Sequence, residues 1–261
     1  MSDHPVFNKL KPCRHGAMLY NINDQYIGKS LDMYGEYSEM EIALFDQILQ
    51  PGQVVLDVGA NIGAYTLYFA KKVGDAGAVH AFEPQRLVFQ TLCANMALNS
   101  IVNAHCRNAA LGTTAGTIRV PDIKPWISFN FGGLTLGDHE TGNPVPLLRL
   151  DDLGIGACHF MKIDVEGMEL EVLKGGSSLI RACNPVLYVE NDRQEKSADL
   201  VAYLSELGYD LFWHLPPLYN PDNFFQNREN VFGTIVSQNM LCLPKTADYK
   251  MDGFQRVEIP V

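Results

Sequence analysis

The sequence predicts an α/β fold: a mostly parallel sheet held between two layers of helices. Three observations carry that expectation. Short apolar runs at 54–58, 78–82, 158–163 and 185–189 recur along the chain, and the first two are followed by stretches long enough for a crossover helix. The first run, Val54-Val-Leu-Asp-Val58, is apolar on both faces apart from Asp57, as a strand covered on both sides must be. It then passes through a turn bracketed by Gly59 and Gly63 into Ala64–Val73. There Leu67, Phe69, Ala70 and Val73 mark an amphipathic helix.

Strand, glycine turn and helix together have the shape of a nucleotide site. Glycines let a ligand approach the backbone, and the amides that open the helix face it. A dinucleotide site needs G-x-G-x-x-G, with those amides receiving a pyrophosphate. Here the turn reads Asp57-x-Gly59-x-Asn61-x-Gly63, so that pattern is missing. Asp57 would repel phosphates but suits an amine or a hydroxyl. Glu83 closes the next run, Ala78–Phe82, where a carboxylate can accept both ribose hydroxyls of an adenosine. The combination resembles the glycine turn of class I S-adenosylmethionine (SAM)-dependent methyltransferases.

At 261 residues, 47% of them hydrophobic, the chain can build one large α/β domain or two small ones. Lys and Arg number 20 against 30 Asp and Glu, a net charge of −10 with a pI near 5.1. That balance disfavours phosphate backbones and anionic lipid, so neither a nucleic acid nor a membrane is expected as a partner. Cys13, Cys93, Cys106, Cys158, Cys183 and Cys242 are scattered without a C-x-x-C pair and read as reduced thiols. Residues 1–7 carry no secretory stretch, and no segment has transmembrane length. The expectation is a cytoplasmic protein of unknown oligomeric state.

In order along the chain, residues 1–50 read as an N-terminal extension with a small hairpin and a helix. In that helix Ser38 and Glu41 form a capping box, Ile42, Phe45, Ile48 and Leu49 form the apolar stripe, and Pro51-Gly52 is the stop. Glu36 and Glu39, beside the first strand, suit either a helix N-terminus or a ligand contact. The central domain covers 51–244. Its second helix carries Leu87, Val88, Leu92 and Met96, and a third strand covers 101–107. Residues 113–150 break the rhythm with Gly, Thr and Pro and with β-type fragments at 117–120, 126–131 and 145–150. They read as an insertion placed to meet a substrate, or as a structural β-extension. A strand ending at Asp164, a helix from Val165 to Gly175-Gly176, a strand ending at Glu190, a helix at 197–207 and a strand at 209–213 follow. An aromatic Pro/Asn-rich loop at 214–230 leads to a last strand pair over 231–243, and 245–261 is a tail.

With these elements in place, the chain resembles the FkbM family of SAM-dependent methyltransferases from about residue 31 to 244. The resemblance rests on Val55–Gly63, Phe82-Glu-Pro84, Asn108-Ala-Ala-Leu111, Leu150-Asp-Asp-Leu153, and most narrowly on Lys162-Ile-Asp-Val-Glu-Gly-Met-Glu169 followed by Val172–Gly176. It implies a Rossmann-like class I methyltransferase domain, a three-layer α/β/α sandwich whose seven-stranded sheet has its last strand antiparallel. It also implies SAM as cofactor and O-methylation of a hydroxyl on a sugar or secondary metabolite, with a small-molecule or glycan acceptor. The alternatives are a Rossmann-type nucleotide-dependent oxidoreductase, disfavoured by the missing glycine pattern, and a non-catalytic SAM-binding protein, since a fold alone never fixes function.

Cofactor contacts are expected from Asp57, Gly59, Asn61, Gly63 and Glu83, with Asn108 and Ala109 over the adenine and Asp164 at the edge. An alcohol must lose its proton as it attacks a methyl group, which calls for a positioned base or a metal. Asp164, Glu166 and Glu190 are the candidate acids: Asp164 comes first, with capping the following helix or holding Lys162 as its alternative role, and Glu190 is the second strand-end acid. His214, beside the aromatic loop, is the rival base. Glu166 reads equally well as a helix-start acid. His139 sits in the insertion, and His80 and His105 read as packed core residues. Asp164 and Glu190 together resemble two positions of the metal site of catechol-type O-methyltransferases, and oxygen ligands suit magnesium. With no third ligand at a telling spacing, the metal-free route is the expectation.

Overall fold

The structure is a computed structural model and describes residues 5–136, 139–247 and 253–259. The first four residues of the extension, 137–138 of the insertion, and 248–252 and 260–261 of the tail lie outside the described residues. The N-terminal extension holds a hairpin, β1 (Asn8–Cys13) and β2 (Gly16–Asn21), followed by helices α1 (Ile27–Tyr34) and α2 (Glu39–Ile48). The wound core then runs β3 (Val54–Val58), α3 (Ala64–Val73), β4 (Ala78–Phe82), α4 (Arg86–Leu98) and β5 (Ala104–Arg107). The insertion contributes β6 (Ala110–Leu111), β7 (Gly116–Val120) and β8 (Asn143–Leu148). The core resumes with β9 (Phe160–Ile163), α5 (Glu169–Gly175), α6 (Ser177–Cys183), β10 (Val186–Glu190), α7 (Gln194–Glu206), β11 (Tyr209–His214) and β12 (Asn239–Pro244).

Seven strands make the main sheet in the order β5-β4-β3-β9-β10-β12-β11. Every pairing is parallel except those of β12, which runs antiparallel to both β10 and β11. The strand order reverses between β3 and β9, so the carboxyl ends of β3, β4, β9 and β10 open onto one crevice. One face buries Phe45, Phe69, Phe160 and Tyr188, while the other buries Ile163, Leu187, Leu173 and Leu204. Side chains this size contribute about 1.5–3 kcal/mol each when fully covered.

Smaller units attach to this core through specific polar contacts. The hairpin is pinned to α4 by two asparagines. Asn95 accepts the Leu19 N–H (2.7 Å) and donates to Leu19 O (3.0 Å), while Asn99 accepts the Ala17 N–H (2.9 Å) and donates to Ala17 O (2.7 Å). A three-stranded sheet of β6, β8 and β7 forms the body of the insertion. The described part of the tail pairs along the outer edge of β11, where Trp213 N–H donates to Gln255 O and Val257 N–H to Leu211 O.

Several local expectations are corrected. The strand pair over 231–243 is the single strand β12. Asn230 Oδ1 accepts the N–H groups of Phe232 and Gly233 instead, turning the chain there. The fragment 126–131 forms only a lone bridge from Phe129 to Asp24. Strand β5 begins at 104 rather than 101, because Ile101 N–H still closes α4 onto Met96 O. The extension holds a second helix, α1, that the hairpin-and-helix reading does not include, and α6 had no signal beyond Gly175-Gly176. The helix after Asp164 starts at Glu169, since Glu166 (φ 58°) and Gly167 (φ 101°) are left-handed and Glu169 Oε1 accepts the N–H groups of Val165 and Gly167. The capping box is also not one: Ser38 Oγ donates to Glu41 Oε1 at 2.7 Å, and no side chain caps the helix. Among the described residues no helix is long and apolar enough to cross a membrane.

Candidate active site

The crevice over the strand ends is a cleft of about 480 Å³. One wall is the turn after β3, where Gly59 (φ 82°), Asn61 (φ 49°) and Gly63 (φ 85°) are all left-handed. A Cβ on Gly59 would lie 1.8 Å from Asp164 O, and one on Gly63 would lie 2.5 Å from Leu92 Cδ1. Only glycine fits these two places, because the turn is pressed against β9 and α4. Asn61 N–H donates to Glu83 Oε2 (3.0 Å), and Gln85 N–H donates to Glu83 Oε1 (2.8 Å). The glycine turn and the acid ending β4 are therefore one hydrogen-bonded unit. Burial pushes the Glu83 carboxyl up to about 7, and its two backbone donors only partly oppose the shift.

Asp57 lies beneath this surface rather than in the cleft. It is fully buried, accepts a 2.6 Å hydrogen bond from Thr66 Oγ1, and leaves Oδ1 without a hydrogen-bond partner. Burial raises its pKa, against the pull of Lys162. Lys162, in the middle of β9, is buried yet lines the cleft, and its Nζ donates to Asp164 Oδ2 at 2.9 Å. Its pKa is raised despite burial, by Asp164, Asp57 and Glu41.

The adjoining wall is an acidic edge. Asp164, Glu166 and Glu190 converge with one carboxylate oxygen each, all within 4.8 Å of one another. Glu166 is paired with Arg193, which also reaches Asp192 at 3.3 Å. Burial pushes the Glu190 carboxyl well above its ordinary value, and Asp164, Glu166 and Asp192 push it further. The N-terminal extension enters the cleft through Tyr26, Ile27, Tyr37 and Glu41, and the insertion enters through Asn130, Gly132, Gly133 and Leu136.

Of the predicted site residues, the fold brings Gly59, Asn61, Glu83, Asp164 and Glu190 to the cleft, with Gly63 shaping the turn. Asn108 faces the backbone instead, donating to Glu83 O (2.8 Å) and Pro84 O (3.0 Å), and so holds the chain that presents Glu83. Ala109 is buried in a small adjoining hollow with Gly59, Phe82 and Leu136. His214 is outside the cleft lining. Its Nδ1 shares a 2.7 Å hydrogen bond with Tyr188 Oη, its ring packs on Phe254, and burial lowers its pKa to about 4. His139 meets Thr135 O, and His80 stacks on His105, which is exposed rather than core. Glu36 accepts from Arg14 Nε (2.7 Å), Asn220 Nδ2 and Phe224 N–H, tying the extension to the aromatic loop, and Glu39 pairs with His15.

Sequence reasoning missed Tyr37, Glu41 and Arg193 as cleft residues. The apparent capping box hid Glu41, whose position four residues before Phe45, on the apolar stripe of the helix, was the available signal.

A seven-stranded sheet in this order, with one antiparallel strand and a glycine turn facing an acid on the next strand, is the class I methyltransferase fold. The chain belongs to the FkbM methyltransferase family, as the family model described as "Methyltransferase FkbM domain" matches residues 57–211. It is 35% identical over 159 residues to the 31-O-demethyl-FK506 methyltransferase FkbM of Streptomyces tacrolimicus, covering 49% of this chain and 60% of that protein. It is 30% identical over 154 residues to methyltransferase sdnD of Sordaria araneosa, covering 46% and 59%. The chain thus spans about 60% of the length of these curated relatives. The crystal structure of Trm5b from Pyrococcus abyssi superposes with a TM-score of 0.50 at 12% identity, covering 92% of this chain and 56% of that one, a likeness of fold alone.

Proposed function

We propose that the protein is a SAM-dependent methyltransferase that methylates a hydroxyl of a small molecule, a secondary metabolite or a sugar. The observation that carries this reading is the Glu83 carboxylate, buried beside a turn that has no room for a side chain at Gly59 and joined to it through Asn61 N–H. These residues fit an adenosyl ligand. Glu83 would take the ribose hydroxyls, the Gly59–Gly63 turn would lie against the amino-acid end, and the hollow by Ala109 would take the adenine edge. Bound there, SAM supplies an electrophilic methyl group on a sulfonium.

The chain's own contribution is alignment and proton handling. Asp164 and Glu190 stand at the ends of adjacent strands where an acceptor hydroxyl can donate to a carboxylate, and a carboxylate so placed takes the proton as the oxygen attacks. Leu218, Ile235 and Val236 add apolar surface to the same cleft, which suits a neutral acceptor with an apolar face. Six acids against two cations line the cleft, an arrangement unfavourable to a phosphate-bearing acceptor.

The test is transfer of label from methyl-radiolabelled SAM to fractionated cell metabolites and glycans, alongside calorimetry of SAM binding. Glu83→Ala is expected to weaken SAM by about 1.5–3 kcal/mol, as for a lost charge-assisted hydrogen bond. Asp164→Asn is expected to slow transfer by roughly 10²–10⁴ while SAM still binds. Saturating SAM affinity that is indifferent to Glu83 would overturn the cofactor assignment.

A further inference from the structure

We propose that Asp164, Glu166 and Glu190 form a binding site for one hard divalent cation: magnesium, manganese or calcium. The sequence offered two acids at strand ends and no third at a recognisable spacing. The fold supplies the third, because the left-handed Glu166 and Gly167 delay α5 and turn the chain so that Glu166 comes back over the ends of β9 and β10.

The geometry suits such an ion. Three carboxylate oxygens within 4.8 Å of one another share a point no more than about 2.8 Å from each. A small contraction brings all three to the ~2.3–2.6 Å of calcium, and a larger one to the ~2.0–2.1 Å of magnesium. An all-oxygen donor set selects hard cations over zinc or copper.

A second observation comes from Glu190 itself. Its Oε2 is out of reach of solvent, has no hydrogen-bond partner, and belongs to the side chain that closes the cluster. A buried carboxylate oxygen left unpaired costs free energy that a ligand would recover. The positive charges nearby are already engaged, Lys162 by Asp164 and Arg193 by Glu166 and Asp192. Asp164, Glu166, Asp192 and Glu169 all repel Glu190. Five acids against Lys162 and Arg193 leave an excess of about three negative charges when all are ionised, more than one ammonium group of a ligand would balance. A divalent ion here would also lower the pKa of a hydroxyl bound to it.

The site shares Asp164 and Glu190 with the methyl-transfer reading, but its test does not rest on that reading and uses the ligand-free full chain. Manganese is titrated with calorimetry and with the electron spin resonance signal of free Mn²⁺. One saturable site per chain is expected, displaced by magnesium or calcium. Glu190→Gln and Glu166→Gln should each weaken it by at least about tenfold, and the exposed control Asp75→Asn should leave it unchanged. Circular dichroism confirms that each variant is folded, and if one is not, the other carries the comparison. Absence of saturable binding at about 1 mM manganese, the weak end for protein calcium sites, would overturn the proposal. So would binding unaltered by both variants, or variants that weaken SAM but leave manganese binding intact, which would assign the acids to a ligand ammonium.

Discussion

Lys162 on β9 stands in register with Asp57 on β3, and both side chains are buried between the glycine turn and the cleft floor. The same ammonium donates to Asp164 at the cleft edge and attracts Asp57 beneath the turn through space. Replacing Lys162 by Met leaves two carboxylates facing each other without a counter-charge. The expected cost is about 3–5 kcal/mol in urea unfolding. Adding Asp57→Asn to that variant should restore part of it. A loss below about 1 kcal/mol, the scale of an exposed pair, would show that the pair does not act as a buried unit.

Two glycines with similar φ should respond differently to the same change. Gly59 (φ 82°) would place a Cβ 1.8 Å from Asp164 O, whereas Gly74 (φ 66°) has nothing within 4 Å of that position. Gly74→Ala should cost about 1 kcal/mol, the strain of a left-handed alanine. Gly59→Ala must in addition separate β3 from β9, and is expected to cost well over ~3 kcal/mol or to prevent folding. Equal melting temperatures for the two variants would contradict the tight contact.

The raised Glu83 carboxyl predicts a pH dependence of stability in the ligand-free protein. Its pKa rises from 4.5 unfolded to about 7 folded. The folded state therefore binds this proton more tightly. That contribution is complete below about pH 4.5 and is lost as pH climbs through 7, an effect of about 3 kcal/mol at most. Glu83→Gln stays neutral throughout, so its stability relative to wild type should improve by up to that amount between pH 4.5 and 8. Parallel stability curves for the two proteins would remove Glu83 as the titrating group.

Asn108 and Ala109 are neighbours with different tasks. Asn108→Ala removes two hydrogen bonds to the Glu83–Pro84 backbone and should destabilise by about 1–3 kcal/mol. Its effect on SAM should be small once the protein is folded. Ala109→Phe fills the hollow next to Gly59 and is expected to block SAM while the chain still folds, at an overpacking cost of about 1–3 kcal/mol. Normal SAM affinity in a folded Ala109→Phe would place the adenine elsewhere.

What the sequence determined by itself is local. The apolar runs flanking Asp57, Glu83, Asp164 and Glu190 set strands that are covered on both faces, and the two glycines set the turn, because burial pattern and left-handed backbone are written in consecutive residues. The order of motifs also carried the family. The tertiary structure decided which of those residues meet. Glu41 and Tyr37 reach the cleft only because α2 packs across the sheet. His214 turns away from it because Tyr188, in the core, takes its ring nitrogen. Glu166 joins Asp164 and Glu190 only because two left-handed residues postpone a helix. Such convergences depend on contacts between residues far apart in the chain, or on a backbone turn that an acidic residue does not announce, and no spacing in the sequence records them.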